Sequence, residues 1–339
     1  SGMTRNEMFV YAIARLKAME NRFLDRGIFQ RMIESEDAQT ALKVLGETSY
    51  AKWFSSSEAD ISFDKVLDLE LQGFYDEVEK FVPDSSLILL FRLPYDYHNV
   101  KVVLKSFISQ RLGREKRWDL LTPLGSISTD NLILAIETED FGFLPYGLNA
   151  LLPQCLSFWE QSRDMLEIER ILDAHLFNSL IALSKKLPYD GIDHYVKNKI
   201  DAENIRTALR LKRANIDANE ISGFFHEGGT YTADLLMRLI DEPLEGWQRI
   251  LSFGDAVSAL ESLQEVHQEA EMLVQLERVL DDFLTKILDK CRYDAFSPEQ
   301  ILRHIHLKET EIKNLRIVLV GKTSGVSGNV IRGLLRYVP

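Results

Sequence analysis

The chain has 339 residues, 45% hydrophobic and 27% charged, with 40 basic and 52 acidic side chains giving a net charge of −12. This is the composition of a packed globular chain of one to three domains. The acidic balance repels phosphate backbones and anionic lipid headgroups, which argues against nucleic-acid binding and against direct lipid insertion.

Ser1-Gly2-Met3 reads as a tag remnant and is set aside; the polar, charged residues behind it lack a signal-peptide pattern. From Met8 to Met32, Phe9, Ile13, Leu16, Met19 and Phe23 recur at helical spacing and predict one long helix. The same periodicity predicts helices over Met165–Leu187 and Met272–Cys291. The longest apolar runs, such as Leu87–Phe91 and Ile317–Val320, are far shorter than the roughly 20 residues that span a bilayer. No run alternates in the manner of strands bounded by turns, so an all-α fold is expected. Cys155 and Cys291 are the only cysteines, and two so far apart fit a reducing compartment. A cytoplasmic location is therefore expected.

Self-comparison is more informative than local pattern. Asp64–Asp68 (DKVLD), Glu169–Asp173 (ERILD) and Glu277–Asp281 (ERVLD) resemble one another, at offsets of 105 and 108 residues. A second trio is DYHNVKVVLK (Asp96–Lys105), DAENIRTALR (Asp201–Arg210) and EIKNLRIVLV (Glu311–Val320), all acid-x-x-Asn-apolar-base-x-x-Leu. Pro83, Pro188 and Pro298 each lie 16 residues before the repeated asparagine, and each is expected to open a short helix. Ser297-Pro298-x-Gln300 has the form of a capping box. A period near 105 residues is domain-sized, far beyond the ~34–47 residues of common helical solenoids. The expectation is three similar helical domains, residues 1–112, 113–220 and 221–339, in a pseudo-threefold arrangement.

The repeated polar positions are Asp96, Asn99 and Lys101, then Asp201, Asn204 and Arg206, then Glu311, Asn314 and Arg316. Acid and asparagine, three apart, share a helix face, and the base leans to another side. One reading has the acid and asparagine capping the preceding turn while the base pairs with a neighbouring domain. The other has the three sets converging on a polar surface that a partner enters. Val100, Val103, Leu104 and Phe107, and in the second copy Ile205, Ala208 and Leu209, form the apolar stripe of the same helix.

The stretch LRIVLVGKTSG (Leu315–Gly325) looks at first like a strand feeding a phosphate loop. A P-loop requires a glycine five residues before Gly321-Lys322-Thr323, and Arg316 stands there. Its would-be loop is Ile317-Val318-Leu319-Val320. The repeat also aligns Lys322 with Lys212, at a helix end where lysine favours the dipole. Nucleotide binding at Gly321-Lys322-Thr323 is thus the weaker alternative. His304 and His306 are two apart, not the three or four that a helical metal pair needs, and the other histidines are isolated. Gly228-Gly229 reads as a turn, and Ser327, aligned with Asp217, as a helix N-cap. No catalytic, cofactor or metal site is expected.

Five stretches in order are similar to a known family: YAIARLKAMENRFL (Tyr11–Leu24), ALKVLGETSY (Ala41–Tyr50), DYHNVKVVLK, KIDAENIRTALRLKR (Lys199–Arg213) and IKNLRIVLVGKTSGVS (Ile312–Ser327). They resemble the C subunit of V-type and A-type ATP synthases, whose eukaryotic counterpart is the vacuolar ATPase d subunit. The resemblance implies three helical domains arranged as a funnel, with no catalysis of their own. It implies a place on the cytoplasmic face of the membrane rotor ring of proteolipid subunits, holding central-stalk subunits D and F and passing torque for ATP-coupled ion transport. A generic helical adaptor outside any motor is the remaining reading.

Overall fold

The structure is a computed structural model, and it describes residues 2–54, 62–216, 222–265 and 269–339. All regular structure among these residues is helical. No described helix is long and apolar enough to cross a membrane. The chain divides into two compact units, one of residues 86–187 and one of residues 1–85 with 188–339.

The smaller unit contains α5 (Ser86–Arg111), α6 (Thr129–Thr138), α7 (Leu148–Ser162) and α8 (Met165–Lys186). Helix α5 packs along α6 and α8. Its core includes Leu93, Tyr97, Val100, Val103 and Leu104 of α5 with Leu132, Leu172 and Leu180 opposite. Pro94 lies inside α5, yet the helix continues on both sides of it.

The larger unit holds two assemblies built to the same plan. In one, α9 (Ile192–Ala214) packs on α10 (Ala233–Asp241) and on α13 (Glu269–Asp289), with α11 (Trp247–Ile250) and α12 (Val257–Leu260) between them. Trp247 is fully buried there, donating its indole N–H to the Leu239 carbonyl at 2.9 Å. The other joins the two ends of the chain. α14 (Glu299–Thr323) packs against α1 (Arg5–Met19), α2 (Arg26–Glu34), α3 (Ala38–Leu45) and α4 (Phe63–Glu79), and α15 (Gly328–Leu334) closes on α2.

In every assembly, therefore, the asparagine helix of one sequence repeat packs on the DKVLD-type helix of another. The sequence repeat and the packing module are out of phase. The helices α5, α9 and α14 are 26, 23 and 25 residues long, and α14 is long enough to pack on the preceding α13 as well as on α1 to α4.

Local expectations fare unevenly. The helices over Met165–Leu187 and Met272–Cys291 are α8 and α13, to within a few residues. The single helix over Met8–Met32 is broken, because Asp25 caps a new helix through the Ile28 N–H and the Leu24 N–H is taken by Glu311. The proline-opened short helix and the asparagine helix are one continuous helix in each copy. The capping box at Ser297 does not close: the Gln300 amide donates to the Asp294 carbonyl instead, at 2.9 Å. Asp217 lies outside the described residues, whereas Ser327 does cap α15, accepting from the Val330 N–H.

Candidate functional site

The nine repeated polar residues form three stations of one design. Asn99 accepts the Thr122 N–H at 2.9 Å and donates to the Thr122 carbonyl at 2.8 Å. Asn204 does the same to His226, at 2.9 Å both ways. Asn314 does it to Arg336, at 2.7 and 3.0 Å. A carboxamide is the one short side chain with a donor and an acceptor side by side, so it can satisfy both backbone groups of one residue. The asparagines bind a segment 22 or 23 residues later in the chain, not the preceding turn.

The acids serve the adjoining backbone. Asp96 accepts the Ile127 N–H at 2.8 Å and the Ser126 hydroxyl at 2.6 Å. Asp201 accepts the Thr230 N–H at 2.7 Å. Burial pushes both carboxyls above their ordinary range, and these donors pull them back only in part. Gly125 and Gly229 explain how the loop comes so close, since a β-carbon at either would land on the aspartate carboxylate. Each glycine stands three residues before the N-cap of the next helix, Ser128 or Thr232. In the third copy that N-cap is Asp25, and the residue three before it is Arg22, not glycine. The acid is then Glu311, one methylene longer, and it takes the Leu24 N–H at 2.6 Å. This is the physical reason that the third copy departs from aspartate.

The bases reach the other repeated motif. Lys101 pairs with Asp173 at 2.5 Å. Arg206 lies 2.7 Å from Glu277 and 4.0 Å from Asp281. Arg316 lies 3.3 Å from Asp64 and 3.9 Å from Asp68. The partners are the ERILD, ERVLD and DKVLD acids, so the two repeats seen in the sequence are two halves of one contact. Asp281 is pushed up by burial, but Lys313 and Arg336 outweigh that and hold it below its ordinary range.

The Gly321-Lys322-Thr323 stretch is the last turn of α14. Lys322 donates to the Ile33 carbonyl near the end of α2, at 3.1 Å, and Lys212 donates likewise to the Ile240 carbonyl near the end of α10, at 3.0 Å. Both lysines cap the negative end of a neighbouring helix. Gly321 is required for packing, because a β-carbon would lie 2.8 Å from the Ile331 side chain. Val318 and Leu319 are fully buried, so no loop exists to wrap a phosphate.

Neither histidine of α14 is placed to hold a metal. His304 is 1% exposed, and burial with neighbouring Arg303 pushes its pKa down to about 3. His306 meets the Thr285 hydroxyl at 2.7 Å, and burial lowers it to about 4. Among the described residues, no group of His, Cys, Asp and Glu is arranged to hold a metal ion.

One feature of the larger unit went unseen in the sequence. Lys308, 3% exposed at its side chain, lies between Glu311 at 2.8 Å and Glu70 at 3.1 Å. The Tyr50 hydroxyl donates to Glu311 at 2.6 Å, and the Trp53 indole N–H donates to Glu70. Burial, Glu311 and Glu70 all raise the Tyr50 pKa, which keeps its proton in place. The signal was available: six residues before the repeated asparagines stand Leu93, Asn198 and Lys308, and only the third is charged.

These positions bind the chain to itself, and what it does must be sought from its relatives. The sequence model of the ATP synthase (C/AC39) subunit family matches residues 12–334. The C subunit of the A-type ATP synthase of Methanocaldococcus jannaschii is 26% identical, over 96% of this chain and 86% of that protein. The C subunit of the V-type sodium ATPase of Enterococcus hirae is 24% identical, over 95% of this chain and 96% of that protein. The C subunit of the A-type ATP synthase of Thermococcus onnurineus is 28% identical, over 96% of this chain and 90% of that protein. The match runs almost end to end, and the chain belongs to the ATP synthase (C/AC39) subunit family.

Proposed function

We propose that this protein is a non-catalytic rotor coupling subunit of a V-type or A-type ATPase. In this reading it links central-stalk subunits D and F to the proteolipid ring, on the cytoplasmic side of the membrane, and passes torque for ATP-coupled ion transport. The near full-length family match carries the reading. Two structural observations support it. The repeated asparagines, acids and bases are occupied with internal hydrogen bonds and ion pairs, and Lys322 caps a neighbouring helix. A coupling element needs stiffness, and close-packed helical modules tied by repeated polar contacts supply it.

The three sequence repeats, residues 1–112, 113–220 and 221–339, are proposed to be three related helical domains about a pseudo-threefold axis, interlocked because the asparagine helix of each packs on the DKVLD-type helix of another. Lys101, Arg206 and Arg316 are proposed as the inter-domain side chains of that arrangement, with Asp96, Asn99, Asp201, Asn204, Glu311 and Asn314 fixing each junction.

The test is affinity capture with the purified chain, using detergent-solubilised rotor ring and separately the D–F stalk pair. Capture of both is expected; capture of neither at low salt overturns the proposal. Titration calorimetry with magnesium and ATP tests the nucleotide-binding alternative, which requires saturable binding that Lys322→Ala abolishes.

A further inference from the structure

We propose that the contact between residues 1–85 and α14 is a clasp, which opens and re-forms as a unit while the modules that are continuous in the chain stay folded. The inference goes beyond the coupling role and does not depend on it.

Connectivity is the first ground. In two modules the partners follow one another in the chain, α5 with α6 and α8, and α9 with α10 and α13. The third module pairs α14 with α2, α3 and α4, from opposite ends of the sequence. Closing it means bringing together segments more than 200 residues apart, and opening it recovers that entropy without unravelling either helix.

The chemistry of the contact is the second ground. Counting from the repeated motifs, the positions equivalent to Lys308 and Glu70 are Leu93 and His175 in the first module, and Asn198 and Phe283 in the second. The third places Lys308 and Glu70 there, 3.1 Å apart and nearly dry. Only here do a lysine and a second carboxylate enter the interior at this position. Buried charges regain their hydration when a contact opens, so such a contact separates at lower cost than an apolar one of the same area. A cavity of about 80 Å³ borders both Glu70 and Lys308, with Arg22, Lys52 and Trp53 on its wall. It offers water a route to the charges.

The rim of the contact is the third ground. Arg316 to Asp64, Arg332 to Glu34 and Arg303 to Glu20 all bridge the two ends of the chain, at 3.3, 3.8 and 3.0 Å. One partner or both in each pair is substantially exposed, so salt weakens them together. The clasp is consequently an ionic-strength-sensitive device.

Hydrogen exchange of the full chain, read by mass spectrometry, tests this. Amides of α2, α3 and α4 are expected to exchange through a shared opening that leaves α8, and α9 and α13 of their own compact unit, protected. Its equilibrium should rise about tenfold from low to high salt, as three pairs of ordinary strength are screened. Arg316→Gln should raise the opening by about threefold at low salt. Glu70→Leu with Lys308→Met should lower it severalfold, since Glu311 is then held by N–H and O–H donors alone, as Asp96 is. Exchange of α2–α4 only together with α9 and α13, or with α8, at either salt, overturns the clasp. So does a higher opening in the Glu70→Leu/Lys308→Met pair. Should that pair fail to fold, the salt series and Arg316→Gln still decide.

Discussion

Replacing Asn99 by alanine isolates one station. The side chain is fully buried and makes two hydrogen bonds to one residue, Thr122, at 2.8 and 2.9 Å. Loss of each bond costs about 1 kcal/mol, and a backbone group left dry and unpaired costs ~1–3 kcal/mol. Thr122 is half-buried, so water recovers part of the loss, and about 2 kcal/mol is expected. Urea unfolding followed by circular dichroism reads this directly, provided the transition is resolved for residues 86–187. Asn99→Asp sharpens the test. An aspartate keeps the acceptor for the Thr122 N–H but sets a second oxygen against the Thr122 carbonyl. Its folded-state pKa is then raised, so the stability present below the ordinary carboxyl pKa is lost as pH rises. Asn99→Asp should accordingly be more harmful at pH 7 than near pH 4. A cost below ~0.5 kcal/mol for Asn99→Ala, with binding to a rotor partner lost instead, would refute the internal role assigned to the asparagines.

Gly125→Ala and Gly229→Ala should each destabilise by more than ~2 kcal/mol in the same assay, because the new methyl meets a buried carboxylate; Gly333→Ala, with open space around it, should be near neutral. His304 is held neutral in the fold with its pKa pushed to about 3, so the unfolded chain takes up a proton first as pH falls. Its contribution is intact above the unfolded pKa near 6.5 and is lost between there and about 3, at up to ~1.4 kcal/mol per pH unit; His304→Gln should flatten that slope in acid titrations of stability. Lys322→Ala should cost about 1 kcal/mol or less, the value of one partly solvated cap to the Ile33 carbonyl, and leave calorimetric traces with ATP unchanged.

The helical class was legible because apolar spacing survives in almost every segment, and the repeat because asparagine, acid and base recur at fixed separation. What Asn99, Asn204 and Asn314 hold was not legible. Their targets Thr122, His226 and Arg336 share no side-chain chemistry, since only their backbone is bound. The break at Leu24 was signalled but hard to see: at helical spacing the buried Phe9, Ile13 and Leu16 of α1 and the buried Met32 and Ile33 of α2 fall on opposite sides of one continuous helix, and Glu311, from the far end of the chain, takes the Leu24 N–H at the break. Gln300 shows the limit of local motifs, as the Asp294 carbonyl outcompetes the capping box. Lys308 was missed because a charged residue on a helix is ordinarily solvated. Its burial follows from α14 being covered by helices from both ends of the sequence.

The claim that this chain couples a motor rather than performing chemistry is tested most directly in reconstituted vesicles. An ATPase complex stripped of the chain should still hydrolyse ATP in its head yet pump no ions, and addition of the purified chain should restore pumping per ATP. Full ion pumping by the stripped complex, or hydrolysis that disappears with the chain and returns with it in the absence of the membrane ring, would contradict the account.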